Sequence, residues 1–200
     1  MTKTRNLISL VAIALALTAP VAAQKKAKIP SDPEVATKLK ALKSIAGDKK
    51  FTQDAKGIEI IDELIQKQEK GLNAQDQKNV AKGLDSLLNK GRLRPATKAQ
   101  IYNATAEALG RHGKAGAKAL KSAYEKKRFP KKREWVSLRE KLLINIGRTK
   151  EEAMVKFLLD EARRSPEAAL MAAAGKALGN FAESKQKLRR EVVSGMIIKW

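Results

Sequence analysis

The residue types best suited to chemistry in this chain are cationic and crowded together. Between Arg111 and Glu134 stand ten basic residues and only two acids, with Tyr124, Phe129 and Trp135 interleaved in or beside them. Ammonium and guanidinium groups attract phosphate, sulfate and carboxylate, and aromatic faces stack on bases or settle at a membrane interface. Much of the cluster lies on the segment EKKRFPKK, where Pro130 interrupts a helix and leaves long side chains on a loop. The candidate binding residues are therefore Lys114, Lys118, Lys121, Lys126, Lys127, Arg128, Lys131, Lys132 and Arg133. The competing account is a solvated linker with Tyr124 and Trp135 turned into the core. Charge alone does not choose between them, because it speaks to association rather than to a defined site.

Other chemistry is weaker. His112, in GRHGK, falls at a turn, and no nucleophile or orienting group accompanies it in sequence, so it reads as a polar turn residue rather than a base or metal ligand. Gly110, Gly113 and Lys114 superficially suggest a phosphate loop. Two residues rather than four separate the glycines, however, and Ala115 follows the lysine where Ser or Thr is needed. Glu59, Asp62 and Glu63 cluster on one helix, and Glu151 and Glu152 open another. Paired carboxylates can hydrolyse sugars, but Glu59 and Glu63 fit a solvated helix face, and Glu151 and Glu152 fit a first turn that offsets the helix dipole. Asn103-Ala104-Thr105 is a glycosylation sequon inside a helical pattern and reads as coincidental. No cysteine is present, which excludes disulfides, thiolate zinc sites and a cysteine nucleophile, and a single histidine excludes multi-histidine metal sites. The expectation is a protein that is not an enzyme, with no catalytic, cofactor or metal residues.

These side chains belong to a chain of 200 residues with 42 Lys and Arg against 21 Asp and Glu, a formal charge of +21. With 43% hydrophobic residues the chain is rich enough in apolar content to fold, and its length suits one or two domains. Residues 1–23 differ in kind from the rest. Lys3 and Arg5 precede an apolar run from Leu7 to Ala19, and Val21, Ala22 and Ala23 offer a cleavage site, the three-part layout of a secretory signal peptide. The alternative is an uncleaved anchor, since the 19 uncharged residues from Asn6 to Gln24 are just long enough to cross a bilayer. Residues 24–32 read as a basic flexible leader and 33–200 as one helical domain. The expected location is the bacterial periplasm or the extracellular space, where a fold without disulfides must be held by packing alone.

From residue 33 onward apolar residues recur at helical spacing, as in Val35, Leu39, Leu42 and Ile45. The spacing predicts nine helices, at 33–46, 53–69, 75–90, 97–111, 114–127, 132–147, 150–163, 166–181 and 185–199. Ser31 with Glu34 matches a capping box, Thr52, Thr149, Ser165 and Ser184 stand where N-caps belong, and Pro166 occupies a first helical position. Gly47, Gly71, Gly91 and Gly113 are expected to close helices. No strand is expected.

Taken in pairs, helices starting near 53, 97, 132 and 166 repeat at intervals of 44, 35 and 34 residues. In the last three pairs Leu109-Gly110, Ile146-Gly147 and Leu178-Gly179 correspond, with Ile101, Leu138 and Leu170 nine residues before each glycine. A period of this length in paired helices points to a solenoid, the alternative being an irregular bundle. The segments AEALGRHGKAGAKAL (106–120) and GKALGNF (175–181), and more loosely LLINIGRTKEEAMVKFLL (142–159), resemble HEAT repeats. The resemblance covers residues 97–200 well and 53–91 poorly. It implies an α-solenoid of stacked antiparallel helix pairs whose curved surface binds other macromolecules, with no catalytic residues to carry over. Some HEAT-like proteins act on damaged DNA bases, a reading that export argues against.

The leading functional expectation is an exported binding or scaffold protein with a protein or peptide partner of acidic character. The second is a polyanion binder, touching acidic polysaccharide, an anionic membrane surface or, against the expectation from export, nucleic acid through 111–134. The end of the chain adds one open point. Val192, Val193, Met196, Ile197, Ile198 and Trp200 make the last helix apolar on more than one face, where a terminal repeat should be polar. Folding back, self-association or docking on another protein, and a chain that continues past Trp200 all fit.

Overall fold

Helical spacing of apolar residues yields helices throughout a computed structural model, which describes residues 29–126, 128–184 and 186–197. The signal segment, most of the leader, Lys127, Ile198 and Trp200 lie outside these residues. Nine α-helices are present among them and no strand: α1 Pro33–Gly47, α2 Asp54–Gly71, α3 Ala74–Asn89, α4 Gln100–Leu109, α5 Gly113–Glu125, α6 Val136–Arg148, α7 Val155–Arg164, α8 Ala168–Leu178 and α9 Gln186–Ile197. Short 3-10 turns at 96–98, 133–135 and 152–154 lead into α4, α6 and α7. No helix among the described residues is long and apolar enough to cross a membrane.

Helix ends differ from the expected caps. Asp32 rather than Ser31 caps α1, accepting from the Glu34 amide at 2.9 Å, while Pro33 takes the first helical position. The Ser31 hydroxyl instead donates to Asp76, as does the Asp32 amide, and Asn73 donates to both Asp76 and the Pro30 carbonyl. Residues 30–32 are thereby pinned to the turn between α2 and α3, and buried Asp76 gathers the donors that pin them. Thr52 turns back to Asp48, Thr149 donates to the Ile146 carbonyl, and Ser165 follows the end of α7. The Thr52 hydroxyl is thus engaged by a side chain before the helix, while the Thr149 hydroxyl also accepts a long bond of 3.4 Å from the Glu151 amide. Pro166 lies before α8 rather than in it. Gly71 closes α2 with φ of 103°, whereas Gly113, with φ of 48°, opens α5.

The helices pack in two interleaved series. One runs α2 to α4 to α6 to α8, and in the other α1 packs on α3, α3 on α5, and α7 on α9. Sequence neighbours α1 and α2, α3 and α4, α4 and α5, α5 and α6, and α7 and α8 join the series. Ile101, Leu138 and Leu170, like Leu109, Ile146 and Leu178, occupy corresponding buried positions. Glycines set how closely successive members approach. A Cβ on Gly57 of α2 would stand 2.8 Å from Ile101 of α4, one on Gly110 2.9 Å from Asn145 of α6, and one on Gly147 2.4 Å from the Ala177 carbonyl of α8. In the other series Gly195 of α9 meets Leu159 of α7 in the same way. The α5–α7 step is looser. These helices meet through long side chains, with Tyr124 and Phe157 edge to face at 5.6 Å and the Tyr124 hydroxyl donating to Glu161.

α9 is two-sided. Gly195 is buried against α7 and Val192 and Met196 pack on the core, while Val193 and Ile197 stay exposed at 56% and 64%.

Candidate functional site

The loose step between α5 and α7 opens a cleft of about 410 Å³ lined by Lys118, Lys121, Ser122, Glu125, Lys126 and Met154. The spacing of α5 explains the grouping. Lys118, Lys121, Ser122 and Glu125 fall within two turns on one side of the helix, opposite buried Ala117, Leu120, Ala123 and Tyr124. Lys126 follows at the C-cap, and buried Met154 forms the opposing wall from the 3-10 turn before α7. The Lys121 ammonium lies 5.1 Å from the centre of the Phe157 ring and 3.6 Å from Glu125. Lys118 and Lys126 form no ion pair with a described residue. Three expected binding residues thus converge on one concave site, which can hold anionic groups.

The others go elsewhere. Lys114 is exposed at the start of α5, four residues before Lys118 on the same helix. Lys131, Lys132 and Arg133 are exposed on the loop before α6 and line no part of the cleft. Arg128 points inward, donating to the Gly91 carbonyl and reaching the Tyr102 hydroxyl at 3.4 Å. Lys127 lies outside the described residues. The aromatic residues do not form a platform for bases or lipid. Tyr124, Phe129 and Trp135 are buried, with Phe129 packed 5.0 Å from Tyr102 and 5.2 Å from Trp135. The basic loop therefore stays exposed while its rings anchor it to the core.

Two buried arginines hold this region together, and nothing in the sequence distinguishes them from surface cations. Arg94, fully buried, grips Asp54 through Nε at 3.0 and 3.1 Å and Nη2 at 2.7 Å, and donates to the carbonyls of Arg92 and Ile45. The Tyr102 hydroxyl accepts from the Arg94 amide and donates to the Arg92 carbonyl, each at 3.0 Å. Arg139 of α6, 1% exposed, donates Nη1 to the Tyr124 and Phe129 carbonyls and stacks 3.9 Å from the Tyr124 ring. It thereby ties the end of α5 and the loop beyond it to α6.

The remaining ionisable groups have structural surroundings. The His112 Nε2 is buried without a hydrogen-bond partner, and desolvation pushes the imidazole pKa down to about 4, so the ring is neutral near pH 7. Burial, followed by the bond to Glu161, pushes Tyr124 above the ordinary phenol range. Lys67 bridges Asp32 at 2.6 Å and Glu34 at 2.8 Å, and its hydrogen bonds hold both carboxyls below their usual range. Glu63 pairs with Lys38, whereas Glu59 and Asp62 are exposed. Among the described residues no group of three or more His, Asp or Glu side chains is placed to hold a metal ion.

No protein-family model, curated protein or solved structure matches the chain.

Proposed function

We propose that the chain is an exported, non-catalytic helical-repeat protein that binds an acidic segment of another protein, with the α5/α7 cleft as its contact site. The observation that carries this reading is the convergence of Lys118, Lys121 and Lys126 on one concave surface. Lysines spread over a helix face solvate separately, whereas lysines around a cleft act on one ligand and raise its local concentration. The HEAT-like solenoid reading is supported by the alternating series of helices and by the glycine-mediated approach of each helix to the next but one. Export with loss of residues 1–23 rests on the tripartite N-terminal sequence. The exposed Val193 and Ile197 support a further contact, self-association through α9, within the same scaffold role.

A polyanion reading is favoured by one separate observation, the exposed and unpaired Lys131, Lys132 and Arg133 on the loop before α6. Acidic polysaccharide or an anionic membrane surface would use that loop rather than the cleft. Binding of a fluorescent Glu-rich peptide by the full chain separates the two. Charge reversal at Lys118, Lys121 and Lys126 is expected to abolish binding, while reversal at Lys131, Lys132 and Arg133 leaves most of it. The reverse pattern would move the site to the loop, and an interaction insensitive to both sets and to salt would sink the reading.

A further inference from the structure

The α5/α7 cleft offers more than positive charge. All three of its cations are lysines, compact point charges that take carboxylate, phosphate or sulfate alike, so charge alone does not select the ligand. Its lining includes one apolar side chain, Met154, which shows a narrow edge to the cleft, and the Phe157 ring beyond it holds the Lys121 ammonium at 5.1 Å. It also holds an acid of its own. Glu125 stands one helical turn from Lys121, both are solvent-accessible, and the 3.6 Å separation is that of a weak, readily exchanged pair.

We propose, resting on the acidic-partner reading above, that the cleft seats a short peptide in which Asp or Glu flanks an aliphatic residue. The ligand carboxylate takes the place of Glu125 at Lys121, and the aliphatic side chain covers Met154. Lys118 and Lys126 receive further carboxylates at the two ends, and the unpartnered Ser122 hydroxyl can donate to a ligand carbonyl. Glu125 is then a built-in competitor that sets how acidic a ligand must be. A sulfated polysaccharide satisfies the lysines but has no aliphatic group for the apolar wall.

Fluorescence anisotropy on the full chain at low salt tests this with three probes: a Glu-Leu peptide, a Glu-Ser peptide of equal charge, and a dextran sulfate fragment. The Glu-Leu peptide is expected to bind about tenfold more tightly than the Glu-Ser peptide, the effect of covering one aliphatic side chain. Glu125→Gln is expected to tighten the Glu-Leu peptide about two- to fivefold, as loss of a surface-type competitor should. Glu59→Gln changes net charge equally from an exposed position on α2 and is expected to leave affinity unchanged. Equal binding of the two peptides, or equal effects of Glu125→Gln and Glu59→Gln, overturns the inference. The acidic-partner reading still stands in that case if charge reversal of the cleft lysines abolishes binding. Tightest binding of dextran sulfate overturns the peptide preference, and binding of no probe removes both.

Discussion

Three glycines at corresponding repeat positions, Gly110, Gly147 and Gly179, should respond to the same substitution in three different ways. All three have right-handed helical backbone or sit in a helix, so alanine is sterically allowed by its own φ and ψ. What differs is the neighbour. At Gly147 the new Cβ would lie 2.4 Å from the Ala177 carbonyl oxygen and 2.7 Å from its Cα. Both are backbone atoms of α8, so no rotamer change relieves the clash, and α6 must withdraw by about 1 Å to restore carbon–oxygen contact. Overpacking of this kind costs about 3 kcal/mol, offset by about 0.5–1 kcal/mol of lost unfolded-state entropy. Gly147→Ala is thus expected to destabilise by about 2 kcal/mol. At Gly179 nothing lies within 4 Å, and alanine should stabilise by about 0.5 kcal/mol. Gly110 falls between, because the obstruction includes the Asn145 side chain, with Oδ1 at 2.9 Å. Its displacement would disturb the 3.2 Å bond from Arg148 to Oδ1, and a loss of about 1 kcal/mol is expected. Urea unfolding followed by far-ultraviolet circular dichroism reads the series. With a slope of about 2 kcal/mol per molar urea, the Gly147 and Gly179 variants should differ in midpoint by about 1 M. Equal midpoints would refute the close approach of α6 to α8 and with it the main support for stacked repeats.

Asp54→Asn should destabilise the fold by about 3 kcal/mol in the same assay, because it leaves the Arg94 charge buried without its counter-ion. An effect under about 0.5 kcal/mol would show that solvent reaches Arg94. Acid should weaken the fold through His112. Its folded pKa near 4 lies below the ordinary 6.5, so the unfolded chain binds the extra proton, and this stability is full above pH 6.5 and is lost as pH falls toward 4. His112→Gln should flatten the stability profile by about 1–3 kcal/mol between those limits, and an unchanged slope would place the imidazole in contact with water.

Helix content was legible because its determinants are local. Apolar residues spaced three and four apart fix a helix and its buried face, and the nine expected segments agree with the observed ones to within a few residues. Caps were less legible. Ser31 and Thr52 each have a hydroxyl able to cap, but the Asp76 and Asp48 carboxylates engage them instead, and such competition is invisible along the chain. The cleft was half legible. The lysines of α5 stand out by type and spacing, whereas Met154 is separated from them by more than two dozen residues and reads as ordinary core.

The sequence by itself determined an all-helical chain, the positions of its helices, its excess of positive charge and the repeated apolar-glycine signature. These follow from side-chain period and composition, which a chain carries whether or not it is folded. Only the tertiary structure decided what each charge and each glycine does. Lys126 lines the cleft while Arg128, two residues on, is drawn inward to the Gly91 carbonyl, and Arg94 and Arg139 vanish into the core. Gly147 admits the backbone of α8 while its counterpart Gly179 faces no described neighbour. The physical reason is the same in each case: burial, ion pairing and close approach depend on which distant segment arrives alongside, and that is a property of packing rather than of local sequence.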